Sequence, residues 1–304
     1  MTANLFLLGQ IFNGLSYCSI LLLIALGLAI TFGLMGVINM AHGELMMLGA
    51  YTAYVIQNVF VRRFAEQHFG WYFAVALPLS FVVAGFVGLL LERSLIRFLY
   101  GRPLETLLAT WGVSLILQQL MRQIFGANNV DVRSPNWLTG RWEPIHGLEL
   151  PHLRLFIIAF TAVCIVLMYA LLFRTALGLK IRSVTQNRDM SACLGIATRR
   201  VDACTFALGS GIAGLAGCIL SLMGSVGPTT GQNYIVDAFM VVVLGGVGKL
   251  AGAIAGSFVI GESNVLFESF STATMGKVIV FTLVILFLQW KPSGVFPSKV
   301  RSLD

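Results

Sequence analysis

Residues 155–200 read LFIIAFTAVCIVLMYALLFRTALGLKIRSVTQNRDMSACLGIATRR, an uncharged run followed at once by a basic one. The uncharged half, 155–173, is long enough and apolar enough to predict a membrane-spanning helix. The segment 174–200, called the basic loop below, carries Arg174, Lys180, Arg182, Arg188, Arg199 and Arg200 against Asp189. A second uncharged run, 203–236, follows it. Basic connections between membrane spans lie on the cytoplasmic side, which predicts a cytosolic basic loop.

The basic loop also carries helix signals. Ser183 and Gln186 have the spacing of a capping box, in which the serine bonds a free helix N–H and the glutamine reaches back. Gly195 supplies the left-handed residue that commonly ends a helix. The pattern predicts a cytosolic helix over 183–194, about 16 Å long. Since a plain connection needs no helix, we expect this one to present a surface to a cytosolic partner.

The composition is that of an integral membrane protein. The chain has 304 residues, of which 57% are hydrophobic and 11% charged, whereas soluble domains carry about 25% charged residues. We expect a polytopic, all-α bundle of transmembrane helices in one domain, 1–304. The net charge of +7 lies in the connections, so we expect contact with membrane lipid and not with nucleic acid. The histidines and cysteines lack metal-ligand spacing, and no catalytic motif occurs, so we expect no metal, no cofactor and no enzyme activity.

Hydropathy predicts nine spans, or eight if the short seventh one is re-entrant. They are 9–34, 45–60, 71–91, 104–125, 154–173, 201–224, 234–246, 251–268 and 276–290. The connection 92–103 and the C-terminus, with Lys291, Lys299 and Arg301, are basic like the basic loop and are predicted to be cytoplasmic. The segment 126–153 then becomes the longest external loop. Arg62 and Arg63 disagree with this scheme because it places them outside.

Ionisable residues interrupt the first uncharged stretch. Asn39, His42 and Glu44 lie between two apolar runs, close to Gly36 and Gly43. One interpretation is a tight cytoplasmic turn with His42 and Glu44 at the lipid headgroups. The other is a broken helix that forms part of a pore or gate, since such breaks at membrane depth are tolerated only against protein or a water-filled cavity.

Other residues are candidates for the pathway or for packing. Glu262 and Asn264 lie in an apolar span, where Glu262 could line a pathway or satisfy a neighbouring helix. Asp237, at the start of a span, is expected at the membrane interface. Two ladders of small residues predict close helix–helix packing, with a partner helix that the sequence does not specify. The first ladder is Gly209, Ala213 and Gly217, and the second includes Gly252 and Gly256.

The chain resembles the branched-chain amino acid type of ABC importer permease over nearly its whole length. The matching motifs are VINMAHGE at 37–44, RPL at 102–104, GLKIRSVTQN at 178–187 with LGI at 194–196, AGLAG at 213–217 and VLGGVG at 243–248. Within that family, RPLETLLATWG at 102–112 and FGAN at 125–128 look most like the urea transporter permease.

The resemblance implies a subunit of an ATP-driven importer in the bacterial inner membrane. It implies a second permease as a heterodimer partner, two cytosolic ATPase subunits and a periplasmic or lipid-anchored substrate-binding protein. The basic loop would then hold the coupling helix that contacts the ATPase. Its candidate contact residues are Arg182, Ser183, Gln186, Asn187, Arg188, Ala192 and Gly195.

The expected activity is alternating-access transport of a small polar solute, with urea as the first candidate. A branched-chain amino acid or a short-chain amide is the alternative within the family. A stand-alone secondary transporter or channel is the alternative of another class, and the small number of intramembrane acids speaks against it. A neutral solute such as urea would need hydrogen-bonding groups along its path, whereas an amino acid would meet ion-pairing groups, at least in the binding protein.

Overall fold

A computed structural model describes residues 2–63, 69–145, 148–270 and 272–296. Within these ranges the chain forms eleven α-helices and a two-stranded antiparallel hairpin. The elements are α1 (Thr2–Met35), α2 (His42–Arg63), α3 (Trp71–Ser94), α4 (Pro103–Phe125), β1 (Arg141–Ile145), β2 (Leu148–Pro151), α5 (His152–Arg174), α6 (Ala176–Gln186), α7 (Arg188–Cys193), α8 (Thr198–Leu220), α9 (Thr230–Gly245), α10 (Leu250–Phe270) and α11 (Ala273–Trp290). The basic C-terminal residues Lys299 and Arg301 lie outside the described ranges.

Each of the nine predicted spans falls on a helix, although not every helix has the character of a full span. Five stretches of the described chain are long and apolar enough to cross a membrane, and they lie in α1, α3, α5, α8 and α10. A shorter apolar helix, Thr274–Trp290, lies in α11. The helix α9 has 16 residues, and α2 and α4 carry polar residues on their buried faces. The count of eight or nine crossings stays a prediction.

Glycines set the close packing of α8, the helix at the centre of the bundle. A Cβ atom added at Gly217 would lie 1.8 Å from the carbonyl oxygen of Met46 in α2. One added at Gly209 would lie 2.7 Å from the carbonyl oxygen of Gly27 in α1. Ala213, between them, is fully buried. The first ladder of small residues therefore lies against helices of the same chain, because only glycine lets these backbones approach so closely.

The second ladder holds α10 against α9. A Cβ atom at Gly252 would lie 2.3 Å from the carbonyl oxygen of Gly245, and one at Gly256 would lie 2.5 Å from that of Val241. The two helices are joined by a short turn at 246–249, so they pack as a hairpin whose interior has no space for side chains.

The bundle has two distinguishable ends. At one end the basic loop packs on α1, where the Thr185 hydroxyl donates a hydrogen bond of 3.1 Å to the carbonyl oxygen of Leu34. At the other end, Val130 and Val226 pair as an isolated β-bridge. The helix α8 connects the two ends over about 34 Å. The segment 126–153, predicted as a loop, contains the β1–β2 hairpin, and the end of the bundle that carries it is called the hairpin end.

The basic loop folds into two short helices, and the predicted capping box at Ser183 and Gln186 is wrong. Ser183 lies inside α6, whose N-cap is Thr175, and Thr175 accepts a hydrogen bond from the Gly178 N–H. The helix α7 has its own cap, Asn187, which accepts from the Met190 N–H. Burial of an apolar face of α6, including Ile181 and Val184, decides between these competing caps. Gly195 adopts the expected left-handed conformation, with φ +80°.

Candidate functional site

The first helix breaks where the sequence has isolated polar residues. The helix α1 ends at Met35, Gly36 turns the chain with φ +67°, and α2 begins at His42. The imidazole Nε2–H of His42 donates to the carbonyl oxygen of Ile24 at 3.2 Å. Ile24 lies eleven positions before Met35, which is about 16 Å along the helix axis. The chain thus turns back into the bundle, and α2 starts beside the middle of α1.

Glu44 places a carboxylate at the centre of the protein. Its Oε1 accepts hydrogen bonds from the Ser114 hydroxyl at 3.1 Å and from the Gln118 amide at 2.8 Å. Ser114 is the midpoint of α4, so the carboxylate lies halfway along that helix. The side chain is 1% exposed. A headgroup-level turn would leave it in water, and its burial favours the interpretation of the break as part of a gate or pathway.

The partners of Glu44 belong to a polar stripe on α4 that sequence reasoning missed. Thr106, Thr110, Ser114 and Gln118 recur every four residues and are all buried. Thr110 also accepts a hydrogen bond of 3.1 Å from the Met40 N–H, which fixes the break against α4. The opposite face of the helix is apolar and exposed. The spacing of four is visible in the sequence and is the signal that could have revealed this stripe.

Three polar atoms at the break have no hydrogen-bond partner among the described residues. They are Nδ2 of Asn39, Nδ1 of His42 and Oε2 of Glu44. The other amide atom of Asn39 is used, since Oδ1 accepts from the Ala41 N–H at 3.0 Å. Leaving such a group unsatisfied costs about 1–3 kcal/mol each. The break therefore offers a buried donor, an acceptor nitrogen and a carboxylate oxygen to a small polar ligand.

A polar cavity lies toward the hairpin end of the bundle, where Asn129 and Ser225 contribute to its lining. Its volume is about 340 Å³, within the range of small-molecule sites. Tyr17 and Ile20 of α1 form one wall, and Ile20 is one helical turn from Ile24, which His42 contacts. The first turn of α9 forms another wall. This turn also touches the start of α2, because Gly43 and Gly231 meet backbone to backbone.

An ion pair borders this cavity. Asp237 is 3% exposed, and its position at the membrane interface stays a prediction. Its Oδ2 accepts from Lys277 Nζ at 3.1 Å and from the Tyr17 hydroxyl at 3.3 Å. Burial is tolerated here because a cation and a hydroxyl together compensate the carboxylate.

Glu262 and Asn264 form a separate group. Glu262 is half-buried and packs against Gly14 of α1, where an added Cβ atom would lie 2.3 Å from Oε2. Asn264 is 6% exposed, and neither atom of its amide has a partner among the described residues. Gly14 precedes Ile24 by ten positions, or about 15 Å of helix. The structure therefore does not join these two residues to Asn39, His42 and Glu44.

The candidate coupling residues separate into an outward and an inward set. Arg182, Gln186, Asn187, Ala192 and Gly195 are exposed, and Ser183 is partly so. Arg188 points inward instead. Its guanidinium forms an ion pair with Asp202 of α8 and lies 4.8 Å from the centre of the Tyr100 ring.

The inward contacts of Arg188 continue into α3. The Tyr100 hydroxyl donates to the buried carboxylate of Glu92 at 3.3 Å. Burial, reinforced by Asp202 and Glu92, raises the pKa of the Tyr100 phenol, which stays a hydrogen-bond donor. The outer face of α7 carries two apolar side chains, Met190 and Leu194, which are 59% and 76% exposed. The candidate coupling segment thus has an inner side held by Asp202 and Tyr100 and an outer apolar patch, Met190 and Leu194.

Comparison with known proteins identifies the family. Residues 10–288 match the family described as the branched-chain amino acid transport system / permease component, and the chain belongs to it. It is an integral membrane permease component, and its relatives are transport subunits and not enzymes. No solved structure matches the chain.

Individual relatives are similar over most of their length. The high-affinity branched-chain amino acid transport system permease protein LivH of Escherichia coli K12 is 30% identical over 300 residues, which cover 96% of each chain. The corresponding protein BraD of Pseudomonas aeruginosa is 28% identical over 298 residues, 95% of each chain. LivM of Escherichia coli K12, another permease protein of that system, is 24% identical over 302 residues, 91% of this chain and 68% of LivM.

Proposed function

We propose that this chain is a permease subunit of an ATP-driven importer that carries a branched-chain amino acid across the inner membrane. The observation that supports this substrate class is the buried Glu44 carboxylate, which keeps one oxygen unpartnered at mid-depth. A carboxylate can pair with the ammonium group of an amino acid, whereas urea is neutral and needs no such charge. The names of LivH, BraD and LivM as branched-chain amino acid permease proteins favour the same choice, and none of the three mentions urea.

The proposed route begins in the polar cavity at the hairpin end, passes the first turns of α2 and α9, and reaches Glu44. In this scheme the hairpin end faces outward and the basic loop faces the cytoplasm, as the positive-inside rule predicts. Alternating access requires two arrangements of the bundle with different affinities for substrate or partner. The break at 36–41 lies between α1 and α2 and has few helical hydrogen bonds, so we infer that it repacks between the two arrangements, with the Met40–Thr110 bond as one contact that would change.

The proposed partners are a second permease, two ATPase subunits and an external binding protein. The resemblance of this chain to both LivH and LivM supports pairing between two related permeases. The exposed apolar residues Met190 and Leu194, in a loop rich in basic residues, support docking of a cytosolic protein there. Neither ATP hydrolysis nor primary substrate selection is assigned to this chain.

Uptake measurements test the substrate. The complete complex is expressed in cells that lack their own uptake of leucine and urea, and labelled leucine and labelled urea are supplied in turn. We expect leucine to accumulate and urea to remain at background. Accumulation of urea alone would overturn the amino acid assignment. Leucine uptake that survives inactivation of the partner ATPases would instead support a stand-alone transporter.

The coupling surface yields a separate prediction. Replacing Leu194 by Asp places a charge on the exposed apolar patch of Met190 and Leu194 and leaves the inward contacts of Arg188 unchanged. We expect at least a tenfold loss of co-purified ATPase, since burying an uncompensated charge in an interface costs several kcal/mol. The control is Val61→Asp, an exposed apolar position in the last turn of α2 at the hairpin end. Wild-type ATPase recovery with Leu194→Asp would place the docking surface elsewhere.

A further inference from the structure

An apolar groove runs along the outside of the bundle between α3 and α8. Its volume is about 390 Å³, and its lining is almost wholly hydrocarbon. Val82 and Phe86 of α3 form one wall, and Cys204 and Leu208 of α8 form the other. Leu171 closes the groove from the end of α5, and Leu177 closes it from the basic loop. The groove therefore touches four elements in the half of the bundle near the basic loop.

A basic pocket lies at the end of the same two helices. It has a volume of about 110 Å³ and is lined by Arg93, Arg97, Arg199 and Arg200, together with Glu92 and Ala203. The four arginines are exposed, whereas Glu92 is buried and bonded to Tyr100. Four positive charges thus converge against one buried carboxylate, just after the predicted span 71–91 and just before the predicted span 201–224.

The groove and the pocket share one face of each helix. On α3 the positions Val82, Phe86 and Arg93 recur at intervals of four and seven residues, which keeps them on one face, and Arg97 follows in the short 3-10 turn after α3. On α8 the series from Arg200 through Cys204 to Leu208 does the same. The two helices therefore present an apolar channel that ends in a cluster of guanidinium groups.

We propose that this surface binds one anionic phospholipid, with its phosphate among the four arginines and an acyl chain in the groove. Guanidinium groups recognise phosphate through paired, charge-assisted hydrogen bonds, and basic pockets between membrane helices suit acidic lipid headgroups. The apolar groove is complementary to a hydrocarbon chain, which a lipid has and a free anion lacks. Because the lipid would contact α3, α5, α6 and α8 together, it would hold the basic loop against the bundle.

Native mass spectrometry of the purified, full-length chain in its complex tests the site with two probes, dioleoylphosphatidylglycerol and dioleoylphosphatidylcholine. We expect the wild type to retain the anionic lipid in preference to the zwitterionic one. The double variant Arg93→Gln/Arg200→Gln should lower this retention about 25-fold, since each nearby cation contributes about fivefold. The control Arg62→Gln/Arg63→Gln removes the same charge at the hairpin end and should retain the lipid normally.

A second variant separates a lipid from a free phosphate. Cys204→Trp fills the groove at an exposed position and leaves all four arginines in place. We expect it to lose the anionic lipid as well. Retention unchanged in the arginine variant would overturn the proposal. So would normal retention in Cys204→Trp, or displacement of the lipid by millimolar inorganic phosphate, since either result would identify an anion site without a lipid chain.

Discussion

Replacing Glu44 by Gln is expected to lower substrate uptake at least tenfold while the complex still assembles. The substitution keeps the shape of the side chain and removes the charge that a substrate ammonium group would meet. The amide also presents N–H groups that compete with the Gln118 donor at the same place. A tenfold loss corresponds to about 1.4 kcal/mol in the transporting state. The measurement is labelled uptake, normalised to the amount of assembled complex.

The matched control is Glu105→Gln on the same helix as the Glu44 partners. Glu105 is exposed near the start of α4, where it pairs with Arg102 at 3.1 Å, and an exposed pair contributes little. Its replacement should leave uptake unchanged. His42→Ala removes the bond to Ile24 and should also reduce uptake more than assembly. Wild-type transport by both Glu44→Gln and His42→Ala would show that the break is only a structural turn.

The Gly217→Ala substitution is expected to prevent normal assembly of the bundle. The new methyl group would lie 1.8 Å from the Met46 carbonyl oxygen, a distance that only a shift of α8 away from α2 can relieve. Overpacking of this kind typically costs up to about 3 kcal/mol, and a backbone neighbour cannot rotate away as a side chain does. Thermal unfolding of the purified complex, followed by size-exclusion chromatography, measures the effect.

Gly112→Ala provides the comparison. Gly112 lies inside α4, and an added Cβ atom there meets nothing within 4 Å. Alanine favours the helix over glycine by roughly 0.5–1 kcal/mol, so this variant should be unchanged or slightly more stable. If Gly217→Ala were as stable as Gly112→Ala, the close approach of α8 and α2 would be wrong.

The sequence predicted the helices well because long apolar runs leave few alternatives. It also located the break, since Asn39, His42 and Glu44 are the first polar interruption after an apolar run that includes glycines. The sequence could not show how deep within the bundle the break lies. That follows from the bond between His42 and Ile24, a contact between residues eighteen positions apart.

Other features depended on competition between similar signals. Asn187 and Ser183 are both competent helix caps, and only the burial of Ile181 and Val184 selects Asn187. The stripe on α4 was missed because Thr, Ser and Gln are uncharged and do not interrupt an apolar run as an acid does. The bond between Lys277 and Asp237 could not be predicted, because the two residues lie forty positions apart, beyond any local pattern.

The hydrogen bond between Thr185 and Leu34 has a mechanical consequence. It joins the basic loop, the proposed site of ATPase docking, directly to the last turn of α1, and the chain continues from there through Gly36 to Glu44. A displacement of the basic loop would therefore act directly on the last turn of α1, where the break begins, without passing through another helix. Movement of Thr185 would therefore be transmitted through the left-handed turn at Gly36 to the buried carboxylate of Glu44.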